Sequence, residues 1–168
     1  SKSVDVLMAR ASVMARLRQP REAVEDYSEA LELDPGLAEA YNSRAALHAN
    51  YLSDLDSALK DILKAVELRP SDAGFHYNLG VIRLKRREYH QAAEALTKAI
   101  SLRGPPGRIL PMRAEVWSYL GNQTRALADM QIALERDPAN PAVYDSLGSI
   151  KLRGMDYESA AADLTRAL

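Results

Sequence analysis

A short phrase recurs four times along the chain and decides its fold. It reads ALELDP at residues 30–35, and it returns as AVELRP at 65–70, AISLRGP at 99–105 and ALERDP at 133–138. Pro35 and Pro70 stand 35 residues apart, and the next two steps, to Gly104 and to Pro138, are 34 residues each. A period of this size is typical of an array of supersecondary units that pack against their neighbours.

The composition favours helices and a soluble chain. Hydrophobic residues make up 47% of the 168 residues, charged residues 27% and aromatic residues 6%, a balance typical of helical proteins. The absence of cysteine excludes disulfides, thiolate nucleophiles and cysteine-ligated zinc. No apolar run approaches the roughly 20 residues that span a bilayer, and the N-terminal residues lack a signal-peptide pattern. We expect a soluble, intracellular protein of the cytoplasm.

Each period has the same internal order, which predicts a helical hairpin: an apolar-periodic stretch, a polar turn, a second periodic stretch and a Pro or Gly stop. Small residues recur at the eighth position of each unit: Ala11, Ala45, Gly80, Ala114 and Gly148. They recur at the twentieth position: Ala23, Ala58, Ala92, Ala126 and Ala160. They recur again at the twenty-seventh: Ala30, Ala65, Ala99, Ala133 and Ala167. A large residue fills the twenty-fourth: Tyr27, Ile62, Leu96, Met130 and Leu164.

This pattern resembles the tetratricopeptide repeat over almost the whole chain. The resemblance implies an all-α, right-handed α-solenoid of antiparallel helical hairpins, a single array over residues 1–168 with five repeats. Their approximate bounds are 4–37, 38–72, 73–106, 107–140 and 141–168. Small residues let the helices approach closely, and the large residue fills the gap between them. Because the last unit stops at Leu168 with no polar helix to cover it, we expect a fragment of a longer array.

Two units depart from the pattern. Unit two has one extra residue within YLSDLDSA, residues 51–58, so its turn is longer, and Asp54 or Ser53 is suited to cap the next helix. Unit four has Pro111 inside its first helix. Since proline is tolerated near a helix start, we expect that helix to begin late and the array to open locally there.

The chain lacks the residue patterns of an active site. His48, His76 and His90 are separated by 28 and 14 residues without an HExxH context, so we predict no metal site and no cofactor. No nucleophile elbow, dinucleotide fingerprint or P-loop is present. The sequon Asn122-Gln123-Thr124 is interpreted as a turn and helix cap. We expect a protein that is not an enzyme.

Positive charge is concentrated in one segment. Between Arg83 and Arg113 eight bases accompany two glutamates, a net charge of +6. The run RLKRREYHQ, residues 83–91, lies at a helix end and turn without an aromatic stacking platform, so we interpret it as solvated turn charge rather than a nucleic-acid site. The arginines at position seven, Arg10, Arg44 and Arg113, are expected to lie over their own hairpins or to pair with neighbouring carboxylates.

The resemblance also implies a binding groove along the first helices. Its candidate residues, carried over unit by unit, are Asn42, Tyr77, Asn78, Lys85, Arg108, Met112 and Asp145. Amides and small residues suit an extended peptide, and Arg108 with Lys85 favours an acidic or carboxylate-terminated ligand. The alternative is that these side chains only face water.

Two functional subclasses of the family are not matched. YNSRAAL at residues 41–47 resembles the middle of the chaperone carboxylate clamp, but Ser43 stands at an asparagine position, and Met8 and Ser12 replace its lysine and first asparagine. We therefore expect no full chaperone clamp. An asparagine ladder needs asparagine repeatedly at position six, which only Asn78 supplies.

The resulting hypothesis is a non-catalytic protein-interaction module, an adaptor that binds a protein or peptide and scaffolds a complex. One alternative is the targeting or substrate-recruiting array of a larger enzyme. Another is self-assembly, as a homo-oligomer, through the uncapped C-terminal hairpin.

Overall fold

Ten α-helices account for most of the chain in a computed structural model that describes residues 3–168. They are α1 (Val4–Arg16), α2 (Pro20–Leu33), α3 (Ala38–Asn50), α4 (Leu55–Leu68), α5 (Ala73–Lys85), α6 (Tyr89–Ser101), α7 (Pro106–Tyr119), α8 (Gln123–Arg136), α9 (Pro141–Arg153) and α10 (Tyr157–Ala167). Consecutive helices pair as hairpin 1 (α1–α2) through hairpin 5 (α9–α10), and each hairpin packs on the next. The predicted all-α solenoid of helical hairpins is confirmed.

Side chains at the helix N-termini fix where several second helices begin. Asp54, Asn122 and Asp156 precede α4, α8 and α10, and each accepts a hydrogen bond from the backbone N–H three residues later. Such a bond satisfies an N–H group that has no partner within the helix. The Ser57 side chain and N–H, by hydrogen bonding, lower the pKa of Asp54. The predicted caps at Asp54 and Asn122 are confirmed.

The turn inside every hairpin contains one residue in the left-handed backbone region. The φ angle is 59° at Arg18, 55° at Ser53, 62° at Arg87 and 64° at Met155, while hairpin 4 uses Gly121 at 73°. This conformation costs a residue with a side chain about 1–2 kcal/mol relative to the right-handed region, a cost that glycine avoids. Four of the five turns therefore carry backbone strain.

Hairpins 3 and 5 close by setting a glycine of the first helix against a leucine of the second. A Cβ atom on Gly80 would lie 2.6 Å from Cγ of Leu96, and one on Gly148 would lie 2.5 Å from Cγ of Leu164. Backbones this close leave no room for a side chain at the two glycines. The small and large positions of the repeat are thus paired across each of these hairpins.

The prediction that α7 begins late and opens the array is wrong. α7 begins at Pro106, where a missing N–H costs nothing, and Pro111 lies in its second turn. Residue 107, four positions before Pro111, is an exposed glycine, and no described atom lies within 4 Å of its Cβ position. Its carbonyl, which loses a donor to proline, is therefore open to water. Ile109 and Leu110 are buried, so α7 packs closely against its neighbours.

The array bends toward its first helices. α3 contacts α5, α5 contacts α7 and α7 contacts α9, whereas the second helices of successive hairpins make no comparable contact within residues 3–168. The exposed side of the first helices is therefore concave, and we call it the inner face. The second helices form the convex outer face, where neighbouring helices diverge.

Candidate functional site

Two asparagines from successive hairpins meet on the inner face. Asn78 of α5 donates from Nδ2 to Oδ1 of Asn42 on α3 over 2.7 Å, and both side chains are half-buried. Within residues 3–168, Nδ2 of Asn42 and Oδ1 of Asn78 have no further hydrogen-bond partner. The pair therefore presents a donor and an acceptor side by side, which are the two groups that a peptide backbone needs.

An arginine and an aromatic ring adjoin this amide pair. The guanidinium carbon of Arg108 on α7 lies 5.0 Å from the centroid of the Tyr77 ring on α5. Stacking over the ring orients the guanidinium and leaves its N–H groups available for a carboxylate. Met112, one turn after Arg108, is half-buried against the same apolar cluster as Tyr77. Met112 and Tyr77 thus pack on one apolar cluster.

Lys85 lies apart from these residues, at the C-terminal end of α5. Its Nζ atom donates to the carbonyl of Ala49 over 3.0 Å and to Oδ1 of Asn50 over 2.7 Å. Seven residues of helix separate it from Asn78, about 10 Å. An ammonium group has three donors, so one N–H of Lys85 remains for a ligand.

Asp145 occupies a different part of the inner face. It borders a hollow of about 180 Å³ between α7 and α9, together with Glu115 and Arg153. The structure therefore brings Asn42, Asn78 and the Tyr77–Arg108 pair together around α5, and it places Lys85 and Asp145 elsewhere along the face.

An aromatic stack beside Lys85 was not singled out by the sequence analysis. The rings of Tyr89 and Tyr119 lie with centroids 4.9 Å apart and planes inclined by 15°. The Arg153 guanidinium carbon is 4.6 Å from the centroid of Tyr119. The stack borders a hollow of about 330 Å³ that Lys85 also lines. The available signal was a tyrosine at the start of α6 and another at the end of α7.

The position-seven arginines each pair with an aspartate on the second helix of their own hairpin: Arg10 with Asp26, Arg44 with Asp61 and Arg113 with Asp129. The prediction that they pair with neighbouring carboxylates is confirmed. Hydrogen bonding to Asp61 raises the pKa of Arg44. Arg44 and Arg113 also donate to a hydroxyl of the preceding hairpin, on Ser28 and Thr97. Arg44 and Arg113 therefore join successive hairpins, and all three arginines have a carboxylate partner within the array.

The basic run at residues 83–91 is largely engaged within the array. Arg86 pairs with Glu88, 2.6 Å from Nε to Oε1, and with Asp56 of hairpin 2. The hydrogen bonds that Arg86 donates to these two carboxylates, the one to Glu88 first, raise the pKa of Arg86. Arg83 lies 3.9 Å from Glu88. The ion pair between Arg86 and Asp56 therefore joins hairpin 3 to hairpin 2.

Residues 3–168 contain neither a metal-binding cluster of side chains nor a membrane-spanning helix. No group of three or more histidine, aspartate and glutamate side chains is close enough to hold a metal ion there. None of the helices in that range is both long and apolar enough to cross a membrane.

Comparison with known proteins identifies the repeat. Residues 4–37 and residues 44–109 match two family models, both described as tetratricopeptide repeat, and the two ranges together exceed half of the chain. The structure of PilW, a type IV pilus biogenesis factor, superposes with a TM-score of 0.89 at 19% identity over 99% of this chain and 77% of PilW. At that identity the likeness concerns the fold alone.

Curated relatives are similar over part of the chain. Hsp70-Hsp90 organizing protein 3 of Arabidopsis thaliana is 37% identical over 79 residues, 47% of this chain and 14% of the relative. E3 ubiquitin-protein ligase CHIP of the same plant is 28% identical over 98 residues, 58% of this chain and 35% of the relative. The matches thus span about a third or less of either relative. With the helical hairpins and the two family matches, they establish that the chain belongs to the tetratricopeptide repeat family.

Proposed function

We propose that the chain is a non-catalytic protein-interaction module that binds an extended peptide segment along its inner face and scaffolds a complex. Tetratricopeptide arrays are in general interaction modules without catalysis of their own. The observation that carries the proposal is the bond between Asn42 and Asn78. It joins two hairpins and leaves one amide donor and one amide acceptor without a partner within residues 3–168, which suits the backbone of a peptide ligand.

The ligand that these residues favour is acidic or ends in a carboxylate. Arg108 is exposed over Tyr77, and no carboxylate within residues 3–168 pairs with it. Its planar guanidinium suits two-point binding of a carboxylate. Lys85 contributes a second positive charge toward the end of α5. A ligand running from Asn78 toward Lys85 would pass both amide groups before it meets the ammonium.

The name of one relative, Hsp70-Hsp90 organizing protein 3, suggests a chaperone as a candidate ligand. In this chain Ser12 and Ser43 stand at the asparagine positions of the chaperone clamp, and they line a hollow of about 410 Å³ with Arg16 and Arg18. A hydroxyl offers one donor, whereas an amide offers two. We therefore propose that the ligand is not bound through the complete set of side chains that forms the chaperone clamp.

Affinity capture with a paired variant tests the proposal. Asn78→Ala combined with Arg108→Glu removes the amide acceptor and reverses the exposed charge. We expect the captured amount of each partner that binds the inner face to fall at least tenfold. Gln91→Ala combined with Arg136→Glu is the matched control, since it makes the same chemical changes at exposed positions of α6 and α8. Quantitative mass spectrometry of the captured proteins gives the ratio. Equal capture by both variants and the unmodified chain would refute the inner-face assignment.

The names of the relatives motivate a second proposal. One of them is a ubiquitin-protein ligase that is longer than the segment matched here, so the array is also suited to recruit substrates for a catalytic domain in the same polypeptide. The sequence of the complete gene distinguishes the two proposals. Self-association through hairpin 5 stays a prediction, and light scattering at high concentration tests it.

A further inference from the structure

A deep groove lies on the outer face, opposite the proposed peptide site. It runs between α6 and α8 above α7 and has a volume of about 960 Å³. Trp117 and Leu120 of α7 form its floor, and Ala93, Thr97, Arg125 and Ala128 line its walls. A largely apolar cleft of this size with a few polar groups is typical of ligand sites.

The junction of hairpins 3 and 4 lacks an ion-pair bridge that the junction of hairpins 2 and 3 has. At that earlier junction Arg86 pairs with both Asp56 and Glu88, which ties the start of α4 to the turn before α6. One repeat later the three equivalent positions hold Leu120, His90 and Asn122. Among the described residues these three form no ion pair with one another, so no equivalent bridge ties the start of α6 to the turn before α8.

The side of the groove that α8 forms carries a smaller side chain than the equivalent repeat position of α4 or α6. Ala128 occupies the repeat position that Lys60 fills on α4 and Glu94 fills on α6. A methyl group at this position leaves the floor of the groove open. Trp117 is reached through this opening, and it is the single tryptophan of the chain.

The floor offers both apolar contact and a cation. The guanidinium carbon of Arg125 lies 4.8 Å from the centroid of the Trp117 ring system. Trp117 is half-buried, so part of its surface remains in water. A large apolar side chain that covered the indole would bury that surface, and Arg125 would stay positioned to bind a carboxylate beside it.

The charges around the groove favour an acidic occupant. Arg113 and Asp129 neutralise one another in a two-point ion pair. Among the described residues, neither Lys98 nor Arg125 pairs with a carboxylate, and Glu94 is the single lining carboxylate outside that ion pair. The lining therefore holds three cationic and two acidic side chains, a net charge of +1. Complementary potential promotes both the association and the selection of a partner of opposite charge.

We propose that the groove between α6 and α8 binds a short acidic peptide segment that places one large apolar side chain on Trp117. The lining residues on α6 extend from His90 to Ser101, about 16 Å along the helix. That length accommodates about five residues of extended peptide. This second site uses no residue of the inner face, so its tests do not depend on the peptide site proposed above.

Fluorescence of Trp117 provides a direct readout. The probes are ten-residue peptides from a randomised library of Asp, Glu and Ser with one central Phe, which contain no tryptophan. We expect selected peptides to produce a saturable shift in Trp117 emission and to protect it from acrylamide quenching. Replacing Phe by Ser, or every acid by Lys, should weaken binding at least tenfold. A library without a single saturable binder, or equal binding of the Lys peptides, would overturn the proposal.

Two variants test whether binding occurs in the groove. Ala128→Lys restores the bulky residue of α4, and Arg125→Glu reverses the charge beside Trp117. Each should raise the Kd of a selected peptide at least tenfold by calorimetry. Their matched controls are Ala162→Lys, at the same repeat position of hairpin 5, and Arg136→Glu, at the exposed end of α8; both should leave the Kd unchanged. An unchanged Kd in both groove variants, with melting curves like the unmodified chain, would refute the site.

Competition with an oligonucleotide distinguishes a peptide ligand from a nucleic-acid ligand. A twelve-nucleotide single strand should not displace a selected peptide at physiological salt. If it displaces the peptide at lower concentration than the unlabelled peptide does, the groove is a nucleic-acid site and the proposal is wrong.

Discussion

Hairpins 3 and 4 meet the same packing requirement with different chemistry. Hairpin 4 places Arg113 against Asp129 at its centre, with 18% and 6% of the two side chains exposed. The equivalent positions of hairpin 3 hold Leu79 and Ala95, which are buried in one apolar cluster. The fold thus accepts either a complete ion pair or a complete apolar pair at this place. A single partner of either kind would leave a buried charge or a cavity.

A second pair of positions follows the same rule. Hairpin 3 sets Gly80 against Leu96, whereas hairpin 4 sets Ala114 against Met130. In hairpin 5 a glycine again faces a leucine. Leu96 and Leu164 lie too close to the first helix to leave room for a Cβ atom there, whereas hairpin 4 combines an alanine with the more flexible methionine. These positions therefore vary as matched pairs, and mixing the pairs of the two hairpins tests that conclusion.

Breaking the ion pair of hairpin 4 should have the largest effect. Asp129→Ala leaves Arg113 beside an apolar surface without its partner, and we expect the free energy of unfolding to fall by about 3 kcal/mol. Urea unfolding followed by circular dichroism measures the change. Glu135→Ala, an exposed substitution on the same helix, should change stability by no more than about 0.5 kcal/mol. An unfolding midpoint for Asp129→Ala equal to that of this control would contradict the prediction.

Mixing the glycine and leucine pair should have an intermediate effect. Gly80→Ala places a Cβ atom 2.6 Å from Cγ of Leu96, and overpacking of this kind costs about 2 kcal/mol. Adding Leu96→Met recreates the pair of hairpin 4 and should recover most of the loss. Gly107→Ala is the control, because no described atom lies near its Cβ position. The matched-pair rule fails if the added methionine recovers nothing.

Exchanging a whole pair should have the smallest effect. Arg113→Leu combined with Asp129→Ala gives hairpin 4 the central pair of hairpin 3, and we expect the free energy of unfolding to stay within about 1 kcal/mol of the unmodified value. A double-mutant cycle with the two single variants yields the coupling energy. If the double variant is as unstable as Asp129→Ala alone, the apolar pair does not substitute for the ion pair.

The sequence was sufficient to predict the helices and their pairing, and ion pairing was one of the two arrangements predicted for the position-seven arginines. Repeated small residues such as Ala126, and arginines at a constant repeat position, carry that information because packing within one hairpin depends on local spacing. The strained turns were not predictable, since only Gly121 marks a left-handed residue. The course of α7 was mispredicted because the effect of Pro111 depends on the exposure of Gly107, which no local pattern reveals.

The candidate sites depend on contacts between hairpins, which sequence patterns describe less well. The repeat frame placed Asn42 and Asn78 on one face, but their hydrogen bond joins different hairpins and required the structure. Their role in binding stays a prediction. The outer groove was not predicted, because its lining comes from three helices of two hairpins.

The divergence of the second helices has a mechanical consequence. α7 separates the inner face from the outer groove. It contacts the first helices α5 and α9 on either side of it, whereas α6 and α8 make no comparable contact with each other within residues 3–168. Straightening the array would close the gap between α6 and α8 and spread the first helices. A molecule wedged in the outer groove therefore resists straightening. Such a ligand would fix the curvature of the array, and with it the shape of the inner face on which the other ligand depends.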